Sequence, residues 1–276
     1  MFEPYLSRWR LESDGEPILT RSSRLLPVRM GGMPAILKIA IEPDEKFGGL
    51  LMAWWDGQGA ARVFEHEGDA LLMERAMGSG TGAGMGSLLE MALSGRDDEA
   101  SRIICHAVAR LHAPRDRPLP DLVPLAHWFR ELAPAAEKQG GMLKVCAATA
   151  HELLASPQDI VVLHGDIHHG NILDFGSRGW LAIDPKRLTG ERGFDYANLF
   201  CNPELATVAA PGRLVRQLDV VVEAAGLERR RLLQWIVAYA GLSAAWFLGD
   251  GDREAAEADL AVARLAAAEL ASVSGE

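Results

Sequence analysis

Along the first third of the chain, apolar and polar positions alternate in short stretches; beyond it they recur at helical spacing. ILTRSSRLLPVRM (18–30) and MPAILKIA (33–40) have the aliphatic and β-branched content of strands, and Gly31-Gly32 supplies a turn between them. From Asp44 to Gly57 the apolar residues Leu50, Leu51, Trp54 and Trp55 predict a helix. ARVFEHEGDALLMERA (61–76) predicts a hairpin turning at Glu67-Gly68-Asp69. Helices are then expected from 87, over 97–114, 124–138 and 141–155, where Pro157 closes the pair. A β insert at 160–184 interrupts them, and helices resume around 195–202, 211–225, 229–248 and 253–272. The pattern predicts an α+β chain in three parts. Residues 1–76 form a small β-rich unit, the Gly-rich run MGSGTGAGMG (77–86) a hinge, and 87–276 a larger, mainly helical unit.

Size and charge narrow the function classes. The 276 residues, 49% of them apolar, suffice for one large or two modest units with their own core. A net charge of −10 argues against a general nucleic-acid binder, whose affinity rests on neutralising phosphates, and suits a cationic partner. Cys105, Cys146 and Cys201 are far apart and form no C-x-x-C pattern, so no disulfide framework is expected. No stretch of 18 uncharged apolar residues stands out as a membrane span, and MFEPYLSRWRLESDGEP lacks the apolar core of a signal peptide. A cytoplasmic monomer is the expectation.

The chemistry concentrates in LHGDIHHGNILDF (163–175) and WLAIDP (180–185). Asp166 can orient a hydroxyl and accept its proton. Asn171 and Asp184, on either side of a strand–turn–strand, can hold Mg²⁺ against nucleotide phosphates. Oxygen donors of this kind suit a hard cation that keeps waters and phosphate oxygens as its other ligands. His164, His168 and His169 also invite a zinc reading. No histidine follows position 169, and zinc would leave the Asn171 and Asp184 pattern without a role. The run 77–87 lacks the Lys-Ser/Thr ending of a P-loop, so it reads as connector.

The run HGDIHHGNIL…SRGWLAIDPKRLTGERGFDYANLF, with AYAGLSAAWFLGDG (238–251), resembles the aminoglycoside phosphotransferase family, and within it the streptomycin 6-phosphotransferase branch also associated with hydroxyurea. The resemblance implies a protein-kinase-like two-lobed fold, with a small β-rich N-lobe and a larger helical C-lobe, using ATP and Mg²⁺. It makes Asp166 the catalytic residue and Asn171 and Asp184 the metal ligands. Lys38, in the apolar strand AILKIA, would neutralise nucleotide phosphates with Glu45 as its helix partner. Ser22 and Ser23 would contact phosphates, and the backbone from Glu74 to Ala76 would hold adenine. His164 and Asp195 would brace the catalytic loop, while Lys186 and Arg187 would be solvated. The expected acceptor is a small cationic molecule, streptomycin first. Asp250, Asp252, Glu254 and Trp246 are candidate contacts that serve equally as a capping turn and a core tryptophan. Hydroxyurea, amino sugars and choline-like alcohols are the alternative acceptors, and a non-catalytic nucleotide-binding protein is the alternative role.

Overall fold

The computed structural model describes residues 1–77 and 87–273, without the side chains of 43–46. The expected hinge at 77–86 therefore lies, apart from Met77, outside the described residues.

Strand-forming sequence near the start builds one antiparallel sheet. Helix α1 (Glu3–Arg8) and strand β1 (Leu11–Ser13), which the sequence did not announce, precede the hairpin β2 (Ile18–Leu19) and β3 (Ser23–Met30). Through Gly31-Gly32 the chain enters β4 (Met33–Ala40), then α2 (Pro43–Trp55), β5 (Val63–Glu67) and β6 (Ala70–Glu74). Pro43 opens α2 where its missing N–H removes no helical bond, and Asp56 in the left-handed region ends it. The strands lie in the order β1-β3-β4-β6-β5, with β2 paired to β3. Alternation divides the sheet into two apolar faces. Leu26, Val28, Ala35, Leu37 and Leu72 pack under α1, beside Tyr5, Leu6 and Trp9. Ile36, Leu71 and Met73, on the other face, meet Phe175 and Leu181 from the second lobe.

That lobe runs α3 (Leu88–Leu93), α4 (Asp97–His112), β7 (Val123–Pro124), α5 (Leu125–Trp128), α6 (Leu132–Gln139) and α7 (Met142–Ala155). Four short strands follow, β8 (Ile160–Leu163), β9 (Ile172–Asp174), β10 (Trp180–Ala182) and β11 (Leu188–Glu191). The chain closes with α8 (Gly193–Ala197), α9 (Leu205–Val208), α10 (Arg213–Ala225), α11 (Arg229–Asp250) and α12 (Arg253–Val273). The single helix expected over 124–138 is broken by a 3₁₀ turn at Phe129–Glu131. Pro134 has no N–H for the Arg130 carbonyl, so α6 restarts with Pro134 in its first turn.

Helix α11 is the axis of this lobe, buried continuously from Trp235 to Ala245. At Gly241 it approaches α7 so closely that a Cβ would lie 2.2 Å from Cys146 Cβ. By length and composition α11 is able to cross a membrane, contrary to the sequence expectation. Its apolar window is, however, 72% buried inside the lobe, as befits a core helix. Strand β11 was not expected, because LTGE offers a single aliphatic residue. It exists through pairing, antiparallel to β8 and parallel to β7. Behind it, Glu191 accepts from Arg231 and Trp235, which ties the strand to α11.

Candidate active site

Strand β8 ends at Leu163, and the loop 164–171 that follows is held from beneath. Ile167 is fully buried and anchors its middle. Asp195, on α8, accepts hydrogen bonds from the backbone N–H groups of His164 at 2.8 Å and Gly165 at 2.7 Å, and pairs with His112 Nε2 at 2.8 Å. Gly165 has φ +85°, and a Cβ there would meet Leu188 at 2.8 Å, so the turn into Asp166 requires glycine. His164 is completely buried. Its Nδ1 accepts from Asp166 N at 3.2 Å, so Nε2 carries the proton and donates to Ile183 O at 2.8 Å. Burial pushes this imidazole below its usual pKa, which keeps it neutral. The expected bracing by His164 and Asp195 is thus present in detail.

The same bonds set Asn171 beside Asp184. Ile183 N donates to Asn171 O at 2.9 Å, and Lys186 N donates to His164 O at 2.7 Å, so the backbone around Asp184 is stitched to the loop. Asn171 Nδ2 donates to Asp166 O at 2.8 Å, which turns its Oδ1, a hard oxygen donor, away from the loop backbone. Asp184, at φ +66°, reaches across to β4 and pairs with Lys38. Lys38 is 5% exposed, and this carboxylate supplies the partner its ammonium needs. The Glu45 side chain lies outside the described residues.

Asp166 is partly open to solvent. Asn198 Nδ2 donates to its Oδ1 at 3.2 Å, and Lys186 Nζ stands 3.8 Å from Oδ2. Lys186 is therefore turned to the site, a correction to its expected solvation. Arg187 is also not simply solvated: it pairs with Asp121 at 2.9 Å and covers Phe47. Asn198 escaped the sequence reading, although its place three residues after Asp195 in FDYANLF put both on one helical face.

Between the lobes lies an apolar cleft that includes Ile18, Leu25, Ile36, Ala76, Leu173 and Ile183, with Lys38 and Asp184 on its wall. Glu74 edges the same cleft, its carboxylate engaged by Arg178 and by Arg62 N at 2.5 Å. The hairpin over it turns at Thr20–Ser22, where the Ser22 carbonyl accepts from Ile41 N. Ser23 already belongs to β3 and is only 2% exposed, so it is not a turn residue as expected. His168 and His169 diverge: His168 stands 4.0 Å from Asp166, whereas His169 is buried and pushed down to about 4 by that burial. Among the described residues no three His, Cys, Asp or Glu side chains converge on one point.

With this geometry in place, the sequence profile of the aminoglycoside/hydroxyurea antibiotic resistance kinases matches residues 8–251. The chain belongs to that family. It is 55% identical over 251 residues to a streptomycin 3''-kinase of Klebsiella pneumoniae, covering 89% of this chain and 92% of the relative. It is 31% identical to a streptomycin 6-kinase of Streptomyces griseus, over 94% and 85% of the two chains. A thermostable mutant of an aminoglycoside phosphotransferase, solved in ternary complex with ADP and hygromycin B, has the same fold. Its TM-score is 0.64 at 13% identity, over 96% of both chains. The two lobes are those of a protein-kinase-like fold, and the chain is a small-molecule kinase acting on a hydroxyl group.

On the far side of Asp166 this resistance kinase opens a second cavity, whose wall includes Asn198, Glu204, Tyr239, Phe247 and Asp259. The acidic residues singled out in FLGDGDRE are elsewhere. Asp250 pairs with Arg21 of the β2–β3 turn at 3.3 Å, and Asp252 caps α12 by accepting from Ala255 N at 3.0 Å. Trp246 packs edge-on against Trp128, the core tryptophan the sequence allowed.

Proposed function

We propose that this kinase transfers the γ-phosphoryl group of Mg-ATP to a hydroxyl of streptomycin. The observation that carries the reading is the position of Asp166, beside an open acid-bearing cavity and one hydrogen-bonded turn from the Lys38–Asp184 pair that borders the apolar cleft. Adenine fits the apolar cleft, against Ala76 and the Glu74 end of β6. Lys38 would then meet the phosphates, and the Asn171 and Asp184 oxygens are hard donors that fit Mg²⁺. Bound Mg²⁺ would supply neutralisation of the charge developing on the phosphate oxygens.

Asp166 accepts the acceptor's hydroxyl proton and fixes the direction of attack, its own carboxylate held by Asn198. Lys186, beside Asp166, faces the same charge. Positioning and electrostatics suffice for this reaction type. Glu45 and the Ser22 turn complete the proposed nucleotide contacts.

The relatives' names divide over the acceptor hydroxyl. The 31% relative carries the 6-position expected from the sequence, and the 55% relative carries the 3''-position. Purified protein is incubated with Mg-ATP and streptomycin, hydroxyurea, hygromycin B or no acceptor. Streptomycin-dependent ADP release and a product heavier by one phosphate support the proposal, and phosphorus-coupled NMR of that product assigns the hydroxyl. No streptomycin product at saturating Mg-ATP refutes it.

A further inference from the structure

The acceptor cavity contains a carboxyl group that the fold leaves incomplete. Asp259, on α12, lines the cavity and is only 6% exposed. Ser243 of α11 and Cys201 line the cavity beside its carboxyl, and Oδ2 is buried without any hydrogen-bond partner. Among the described residues no lysine or arginine pairs with it. A buried acceptor in this state is unfavourable unless something fills the vacancy. The cavity lies open to Asp166 at one end, and its wall carries a second acid, Glu204, with the aromatic rings of Tyr239 and Phe247. That combination of buried carboxyl, second acid and aromatic surface matches a planar or compact cation with an apolar rim.

We infer that Asp259 is the residue that reads a guanidinium or ammonium group of the acceptor, and so selects cationic over neutral hydroxyl compounds. The inference rests on the phosphotransferase reading above and names the acceptor class of its site. Asp259 is a specificity residue: it touches the acceptor away from the reacting hydroxyl, and Asp166 remains the group at the reacting atom. Nothing in REAAEADLAVAR marks it, because the segment reads as a plain amphipathic helix.

Burial also pushes the Asp259 carboxyl up to about 6. The titratable groups facing it are Cys201 and Tyr239, both held neutral well above their ordinary values by burial, with Asp166, His168 and Glu204 across the cavity. A cation on Oδ2 favours the ionised form, so acceptor affinity weakens as pH falls through about 6.

The test uses the full chain with streptomycin as probe, measuring calorimetric binding and steady-state kinetics for wild type and Asp259→Asn. Loss of one charge-assisted bond should raise streptomycin Kd and KM by roughly 10- to 100-fold, with the KM for Mg-ATP unchanged. In wild type alone, streptomycin affinity should fall below pH about 6, which keeps the idea testable even if the variant folds poorly. A variant that binds streptomycin within twofold of wild type overturns the assignment while leaving streptomycin turnover intact. Asp259-dependent binding without turnover supports the assignment and defeats the phosphotransferase reading instead. A wild type that neither binds nor turns over streptomycin defeats both.

Discussion

If Asp259 is retained for binding, removing its charge should make the protein more stable. In Asp259→Asn the side chain keeps its shape, cannot ionise, and exchanges one carboxyl oxygen for an NH2 donor. Burial raises the carboxyl from 3.8 to about 6. At 1.36 kcal/mol per pKa unit, this corresponds to about 3 kcal/mol of destabilisation carried by the charged wild type. The sign follows from proton binding. The folded carboxyl holds its proton more tightly than the unfolded one, so its stabilising contribution is complete below 3.8 and is lost as pH rises through about 6. The advantage of Asn should therefore be full at pH 8, with about two-thirds of it gone at pH 4.5. For a chain of this size it amounts to a rise in Tm of about 6–12 °C at most, less whatever the amide loses against Ser243 and Cys201. Differential scanning calorimetry of both proteins at the two pH values, without ligand, measures it. Taking the difference between proteins cancels the other titrating groups, including the buried His164 and His169. A variant less stable than wild type at pH 8, or a gap of the same size at pH 4.5, would refute the argument.

Asp166→Ala should lower kcat by roughly 10²- to 10⁴-fold while leaving calorimetric Mg-nucleotide binding within a few-fold. Equal loss of both would show that Asp166 acts structurally. Asp184→Ala should instead weaken Mg-nucleotide binding, by at least roughly the 10-fold that loss of a ligand's own support costs; unchanged binding would remove Asp184 from the proposed metal site. Asp195→Ala leaves the His164 and Gly165 N–H groups buried and unpaired at about 1–3 kcal/mol each. Urea denaturation should therefore show a loss of about 2–6 kcal/mol, and a loss below 1 kcal/mol would mean that water replaces the carboxylate.

The sequence by itself determined the order of elements and the local chemistry of the loop. Both are short-range: alternation and helical spacing are set within a dozen residues, and Gly165, Asp166 and Asn171 share one short loop between β8 and β9. His164 and Asp195 were legible only through the family resemblance, since Asp195 reaches the loop from some 30 positions away. What the chain could not display is partnership between distant segments. Strand β11 exists because β8 and β7 border it, Lys38 finds Asp184 across 146 positions, and Lys186 turns to Asp166 only when the loop folds back. The acceptor cavity depends most on the tertiary structure. Asp252 looks acidic and available in the sequence but is consumed by capping α12, whereas Asp259 is hidden in an alanine-rich helix. It is distinguished only by the burial and the missing hydrogen bond that the packing of α12 on α11 creates. Propensity is local, whereas desolvation and unsatisfied polarity belong to the assembled fold.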